Sequence, residues 1–358
     1  MTPVKKAAAT RRNSGNSVQP VSLKMLAEQV GLSPATVSLV INRSPASKSI
    51  PHHTQERIRK AARELNYRPN YMARSLRAQR SFTIGVVVPE ISEGYAALVM
   101  SGIEDHLLQE GYIYLVVSHR HRQDLIQEYP HLLYQRSVEG LLAVDTPCNH
   151  DVPIPIVSVS GHREVAGVTN IALNHSRAAF LALEHLARLG HRSIAFIKGQ
   201  AFSSDTEIRW ESVQSAAKRL DLAFDARLTG QLQGESSSPE LGYEVTRRLL
   251  AAGPPFTALF AFNDISAIGA IRALREAGRR VPEDVSVIGF DDIQSAAFQN
   301  PALTTIRQPL REMGALAAQT LLSRINASPG KTYPKVISVE PELVLRSSTA
   351  PAPGDFSS

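Results

Sequence analysis

The apolar pattern of this 358-residue chain changes once, near residue 82. Beyond that point, short apolar runs that read as buried strands (84–88, 112–118, 141–144, 154–159, 194–197, 258–262, 285–290) alternate with amphipathic stretches of helical period (97–110, 176–189, 206–220, 239–252, 265–277). Strands alternating with helices of this length build parallel sheets covered on both faces. The segment 82–348 is large for a single sheet of this kind. Two lobes with a cleft between them are therefore expected.

Before residue 82 the pattern is helical. Leu23, Leu26, Ala27 and Val30 recur at i, i+3, i+4, i+7, and Gly31 supplies a residue that accepts a left-handed turn. A second helix runs from Ser33, a good N-cap, to about Asn42. Pro34 sits at its first position, and Val37, Val40 and Ile41 face inward. The third helix is expected from Thr54, with Ile58, Ala61, Ala62 and Leu65 on its buried face. The order helix, glycine turn, capped helix is that of a helix-turn-helix. The outer face of the second helix carries Pro34, Ala35, Thr36, Ser38 and Asn42, small enough to enter a major groove about 12 Å wide.

Charge separates the same two parts. Residues 1–80 hold 15 Lys/Arg against 3 Asp/Glu, and residues 81–358 hold 24 against 30. A basic head on a mildly acidic body is the asymmetry expected when one end meets a polyanion. Residues 1–20 are small, polar and basic, without apolar period, and are expected to be a disordered tail.

Two stretches carry a family resemblance. One is Ala27-Glu28, Gly31-Leu32-Ser33 and Thr36 to Asn42. The other is Glu64-Leu65-Asn66-Tyr67-Arg68-Pro69-Asn70-Tyr71-Met72-Ala73-Arg74-Ser75-Leu76-Arg77, followed by the strand Thr83 to Pro89. Further matches are Gly190-His191-Arg192, Ala261-Phe262-Asn263-Asp264, Ser286 to Asp292 and Pro301 to Ile306. Together these resemble the LacI family of bacterial transcription regulators over roughly 21–348.

The resemblance implies a helix-turn-helix domain at 21–69 and a hinge helix and linker at 70–81. It also implies a two-lobed, periplasmic-binding-protein-like effector and dimerisation body at 82–348, leaving a flexible tail at 349–358. It implies a homodimer on double-stranded operator DNA, acting as a repressor under a small-molecule effector. No leucine heptads follow Leu345, so a tetramer is not expected. By position, DNA contacts are expected from Leu23, Ser33, Pro34, Ala35, Thr36, Ser38, Leu39, Asn42 and Thr54 in the head. In the hinge, Asn70, Ala73, Arg74 and Leu76 are expected to contact DNA, Leu76 matching the family's wedging leucine.

The head departs from the family at two places. Leu39 stands where arginine is common, and it has no hydrogen to donate to guanine. The link 43–49 is longer than usual by about three residues; His52 and His53 are expected in a strand-like loop, pointing apart rather than binding metal.

In the body, Arg209, Asn263 and Asp291 match ligand-contacting positions. A planar guanidinium can grip paired hydroxyls or a carboxylate, and such ligands bind at the ends of parallel strands. The competing reading of each is a structural cap at a strand–helix junction. Tyr95 is expected to stack on a ring. The run His119 to Arg122 either faces an anion or is a solvated loop. Ser158 stands where the family places an aspartate after the fourth strand. A sugar or sugar derivative is the expected effector, with a purine or an anionic metabolite as the alternative.

No phosphate loop, nucleophile elbow or zinc motif is present, and Asp291 and Asp292, being adjacent, should face opposite ways. Catalysis, cofactors and metals are therefore not expected. A sugar-binding protein without regulatory function would have no use for residues 21–77. With one cysteine, Cys148, there is no intramolecular disulfide. With no apolar run of membrane length and no signal-like start, a bacterial cytoplasmic location is expected, at the nucleoid when DNA is bound.

Overall fold

The computed structural model describes residues 21–354, except 43, 69–74, 76–78, 92–93, 150, 162, 204, 235–237 and 329. Two compact units divide between Arg80 and Ser81.

The first unit holds α1 (Leu23–Val30), α2 (Pro34–Ile41) and α3 (His52–Glu64). The Ser22 side chain accepts from Met25 N at the start of α1, and Gly31 ends that helix at φ 62°, the left-handed conformation glycine tolerates. Ser33 caps α2 by accepting from Thr36 N at 3.2 Å. Leu26, Val37, Val40 and Ile58 are buried together as the core of this unit.

Two expectations change here. The third helix begins at His52, two residues before Thr54, so His52 and His53 lie in a helical first turn. The first turn buries nothing, so an apolar period cannot report it. Within the long link, Pro45–Ser49 forms a 3-10 turn, and the Gln55 amide donates to Ser47 O and Ile50 O, both at 2.9 Å.

In the second unit, the first sheet is built of β1 (Thr83–Val88), β2 (Ile113–Ser118), β3 (Gly140–Val144), β4 (Ile156–Val159), β5 (Thr169–Leu173) and β11 (Val336–Val339), all parallel, in the order β11-β5-β4-β3-β1-β2. The second sheet is built of β6 (Ile194–Lys198), β7 (Thr229–Gln231), β8 (Ala258–Phe260), β9 (Ser286–Asp291), β10 (Thr304–Arg307) and β12 (Glu342–Val344), in the order β12-β10-β9-β8-β6-β7. Among the described residues only β12 runs antiparallel, against β10. The chain passes between the sheets after β5, after β10 and after β11. One apolar cluster runs through both lobes, from Ile84, Val86 and Ile171 to Phe196, Phe260 and Phe290.

Helices flank both sheets: α4 (Tyr95–Gln109), α5 (Gln123–Gln135), α6 (His175–Arg188), α7 (Asp205–Arg219), α8 (Pro239–Ala252), α9 (Asp264–Glu276), α10 (Gln294–Ala297) and α11 (Leu310–Ile325). In the first lobe α4 crosses α11 where Gly102 meets the Arg311 carbonyl and Gly314 meets the Val99 carbonyl. A Cβ at either position would strike backbone, so only glycine permits this approach.

The flexible tail expected over 349–358 is corrected for 349–354; residues 355–358 lie outside the described residues. Ser348 is fully buried, its hydroxyl accepting from Thr304 N at 2.8 Å and donating to Val287 O at 2.6 Å. Ala350 N donates to Ser286 Oγ at 3.0 Å, and Ala352 N donates to Leu189 O at 2.7 Å. The polar, proline-rich composition here reflects a strap held by backbone bonds rather than loose chain.

Candidate functional site

A cleft opens between the lobes where strands of both sheets end. It is lined just past β1, β2 and β3 by Glu90, His121 and Asp145, just past β6 and β8 by Gln200 and Phe262, and at the end of β9 by Asp291. Tyr95 on α4 and Asp205 and Arg209 on α7 complete it. The strand ends are conformationally unusual: His121, Asp145, Ser160 and Asp291 all have positive φ without being glycine. Such backbone persists where surrounding structure over-determines it, which is common at binding sites.

Arg209 is buried and clamped. Its Nη2 donates to Asp205 Oδ2 at 2.5 Å, one helical turn away, and its Nη1 donates to Phe262 O at 2.7 Å. The guanidinium lies 3.9 Å from the Phe290 ring centroid and 4.4 Å from that of Phe262. Asp205 Oδ1 in turn lies 3.7 Å from Nε2 of the buried His175, the first residue of α6. Arg209 is therefore pre-oriented before any ligand arrives.

Asp291 accepts from Gln308 Nε2 at 2.6 Å. Burial pushes its carboxyl up to about 7, against the opposing pull of Arg209. Tyr95 donates to Ser160 Oγ at 2.6 Å. Burial, then the charges of Asp205 and Asp145, hold its phenol well above the usual range, so it stays protonated.

Asn263 lines the cleft, yet its Oδ1 accepts from Ser266 N at 2.8 Å and closes a capping box on α9. The structural reading of this residue, a cap at a strand–helix junction, holds for its side-chain oxygen. The run 119–122 divides. Burial and then His121 lower His119 to about 4, so it is a neutral hydrogen-bonding residue, 3.1 Å from Thr146 Oγ1. Arg122 pairs with Asp124 on the exposed side. His121 alone of the four lines the cleft, its ring 4.0 Å from that of Phe202. Ser158 is corrected: it lies inside β4 and donates to Asn170 Oδ1, while Ser160 occupies the strand end.

Sequence reasoning missed Asp205, Ser160 and Gln308. The spacing of Asp205 and Arg209 at i, i+4 was a usable signal; nothing in sequence pointed to the other two. Asp292 binds Arg307 at 2.7 Å and Arg346 at 2.6 Å, away from the cleft, so Asp291 and Asp292 do not act as a carboxylate pair. Among the described residues no group of His, Cys, Asp or Glu could hold a metal. No helix there is long and apolar enough to cross a membrane.

In the head, Pro34, Ala35 and Asn42 are exposed, Thr36, Ser38 and Leu39 are half-buried, and all lie on or beside α2. Leu23 packs against the core of the head. Thr54, in the first turn of α3, lies 3.1 Å from His53 Nε2. The hinge residues Asn70, Ala73, Arg74 and Leu76 lie outside the described residues.

Residues 22–70 match the family described as "Bacterial regulatory proteins, lacI family", and residues 183–349 match the "Periplasmic binding protein-like domain". The HTH-type transcriptional repressor PurR of Haemophilus influenzae is 33% identical over 337 residues, covering 91% of this chain and 98% of the relative. The chain belongs to the LacI family. Its fold is similar to the lac repressor dimer bound to operator, with a TM-score of 0.80 and 27% identity over 93% of this chain and 100% of that one. It is also similar to a LacI family regulator from Enterococcus faecium with bound ribose, with a TM-score of 0.66 and 30% identity over 75% and 99%. A LacI-family member of this architecture is a DNA-binding transcription regulator with a small-molecule effector domain, not an enzyme.

Proposed function

We propose that the chain is a repressor that binds operator DNA as a homodimer, with the 21–69 head in the major groove and the 70–81 hinge in the minor groove. A small, neutral, hydroxyl-rich effector in the cleft, a sugar or sugar derivative, controls that binding. The observation that carries this reading is the cleft's composition from both lobes. A ligand touching strand ends of both sheets binds one lobe arrangement better than another, and that difference is all a ligand can use to shift a conformational equilibrium.

The charge of the cleft supports a neutral ligand over an anion. Its carboxylates are Glu90, Asp145, Asp205 and Asp291, and its guanidinium, Arg209, is already paired with Asp205. Carboxylates accept hydrogen bonds from hydroxyls, and the faces of Tyr95 and Phe262 suit the apolar face of a sugar ring. The cavity of about 120 Å³ compares with roughly 10–15 Å³ for one water on the same measure, so it takes on the order of ten non-hydrogen atoms.

The test is a thermal-shift panel of neutral sugars, sugar acids and nucleobases on the full chain, repeated on Arg209→Ala. A neutral sugar should raise Tm of the wild type and not of the variant. A leading sugar acid would replace this reading with the anionic one, and a leading nucleobase with the purine one.

A further inference from the structure

The head bears on operator sequence, given the reading of α2 as the groove-entering helix. Val37 and Val40 are buried on one side of α2. At 100° per residue, Ala35, Leu39 and Asn42 form the stripe on the opposite side. Ala35 and Asn42 are exposed and Leu39 is half-buried.

The hydroxyls of Ser33, Thr36 and Ser38 and the amide nitrogen of Asn42 have local partners. Ser33 Oγ and Thr36 Oγ1 are hydrogen-bonded at 2.9 Å, and Ser33 Oγ also accepts from Thr36 N. The Asn42 amide nitrogen donates to Ser38 O at 2.9 Å and to Ser38 Oγ at 3.0 Å. At the centre of the stripe, Leu39 and the Ala35 methyl are left. Neither side chain donates or accepts a hydrogen bond. In the major groove each base pair presents donors and acceptors, and thymine alone adds a methyl group.

We infer that Leu39 reads a thymine by its C5-methyl, with Ala35 beside it, so that each operator half-site carries a T·A pair where Leu39 lands. Apolar contact selects the base at this position, and hydrogen bonds do not.

The experiment enriches duplexes from a random palindromic library with the full-length chain. Each thymine of the enriched half-site is then replaced by deoxyuridine, which removes the methyl and nothing else. One replacement should weaken wild-type binding by roughly fourfold, the size of one buried methyl group. Leu39→Ala should bind thymine and uracil duplexes alike at that position. Leu39→Arg should shift the enriched base there to guanine. Circular dichroism melts of the variants keep a folding defect distinguishable. Uracil tolerated at every position, or a uracil effect that persists in Leu39→Ala, overturns the inference and leaves the DNA-binding reading standing. Failure of the wild type to enrich any duplex overturns both.

Discussion

Asp291 is a cleft residue whose carboxyl lies far from its ordinary range. Its carboxyl is pushed up to about 7 by burial, from 3.8 in the unfolded chain. A raised folded pKa means that the protonated form is favoured in the native state. This contribution to stability is fully present below about pH 3.8 and is lost as pH rises to about 7. Asp291→Asn, which can still accept from Gln308, should therefore exceed wild type in Tm at pH 8, with the gap closing towards pH 4. A gap independent of pH would contradict the assignment. Arg209→Lys should lose the effector response almost as fully as Arg209→Ala, since an ammonium cannot hold the Asp205 carboxylate and the Phe262 carbonyl in one plane. An operator-release assay checks it, and a lysine variant with a full response would refute the clamp. Asp291 stood out in sequence because it follows an apolar run directly, and Arg209 because its position matches the family's. Gln308 was not, because its role depends on β9 and β10 pairing side by side, which no local pattern reports.

Among the elements, buried parallel strands such as β1, β3 and β9 were legible as apolar runs. Strands β5, β7, β10, β11 and β12 were not, and the last two show why. Strand β11 alternates exposed and covered positions at a sheet edge, and β12 spans only Glu342–Val344, so neither rises above its surroundings in sequence. Helix α5 carries Pro130 inside it, and α11 is apolar on several faces, which blurs the amphipathic period. The strap after β12 gives a direct test of its ordering. Ser348→Ala leaves Thr304 N and Val287 O without the hydroxyl that serves both, which should cost about 2 kcal/mol in a denaturant melt. A change near zero would mean the strap is dispensable. Gly102→Ala should cost about 1–3 kcal/mol through overpacking of α4 on α11, and an unchanged melt would contradict the close crossing.

At the scale of the molecule, a basic head and an acidic body divide the work between polyanion and effector. The head's phosphate contacts should make operator affinity fall steeply with salt, as condensed counterions are released from the duplex. An affinity unchanged between low and moderate salt would mean that the basic excess of residues 1–80 does not meet phosphate. Sedimentation of the full chain should give a dimer, and a stable tetramer or a monomer at micromolar concentration would contradict the proposed assembly. The most direct measurement compares the affinity of the full-length chain for duplex DNA from upstream of its own gene with that for a shuffled duplex of equal length and composition, at one salt concentration. The upstream duplex should bind more tightly by roughly three orders of magnitude or more. Equal affinity for the two duplexes would contradict sequence-specific operator binding.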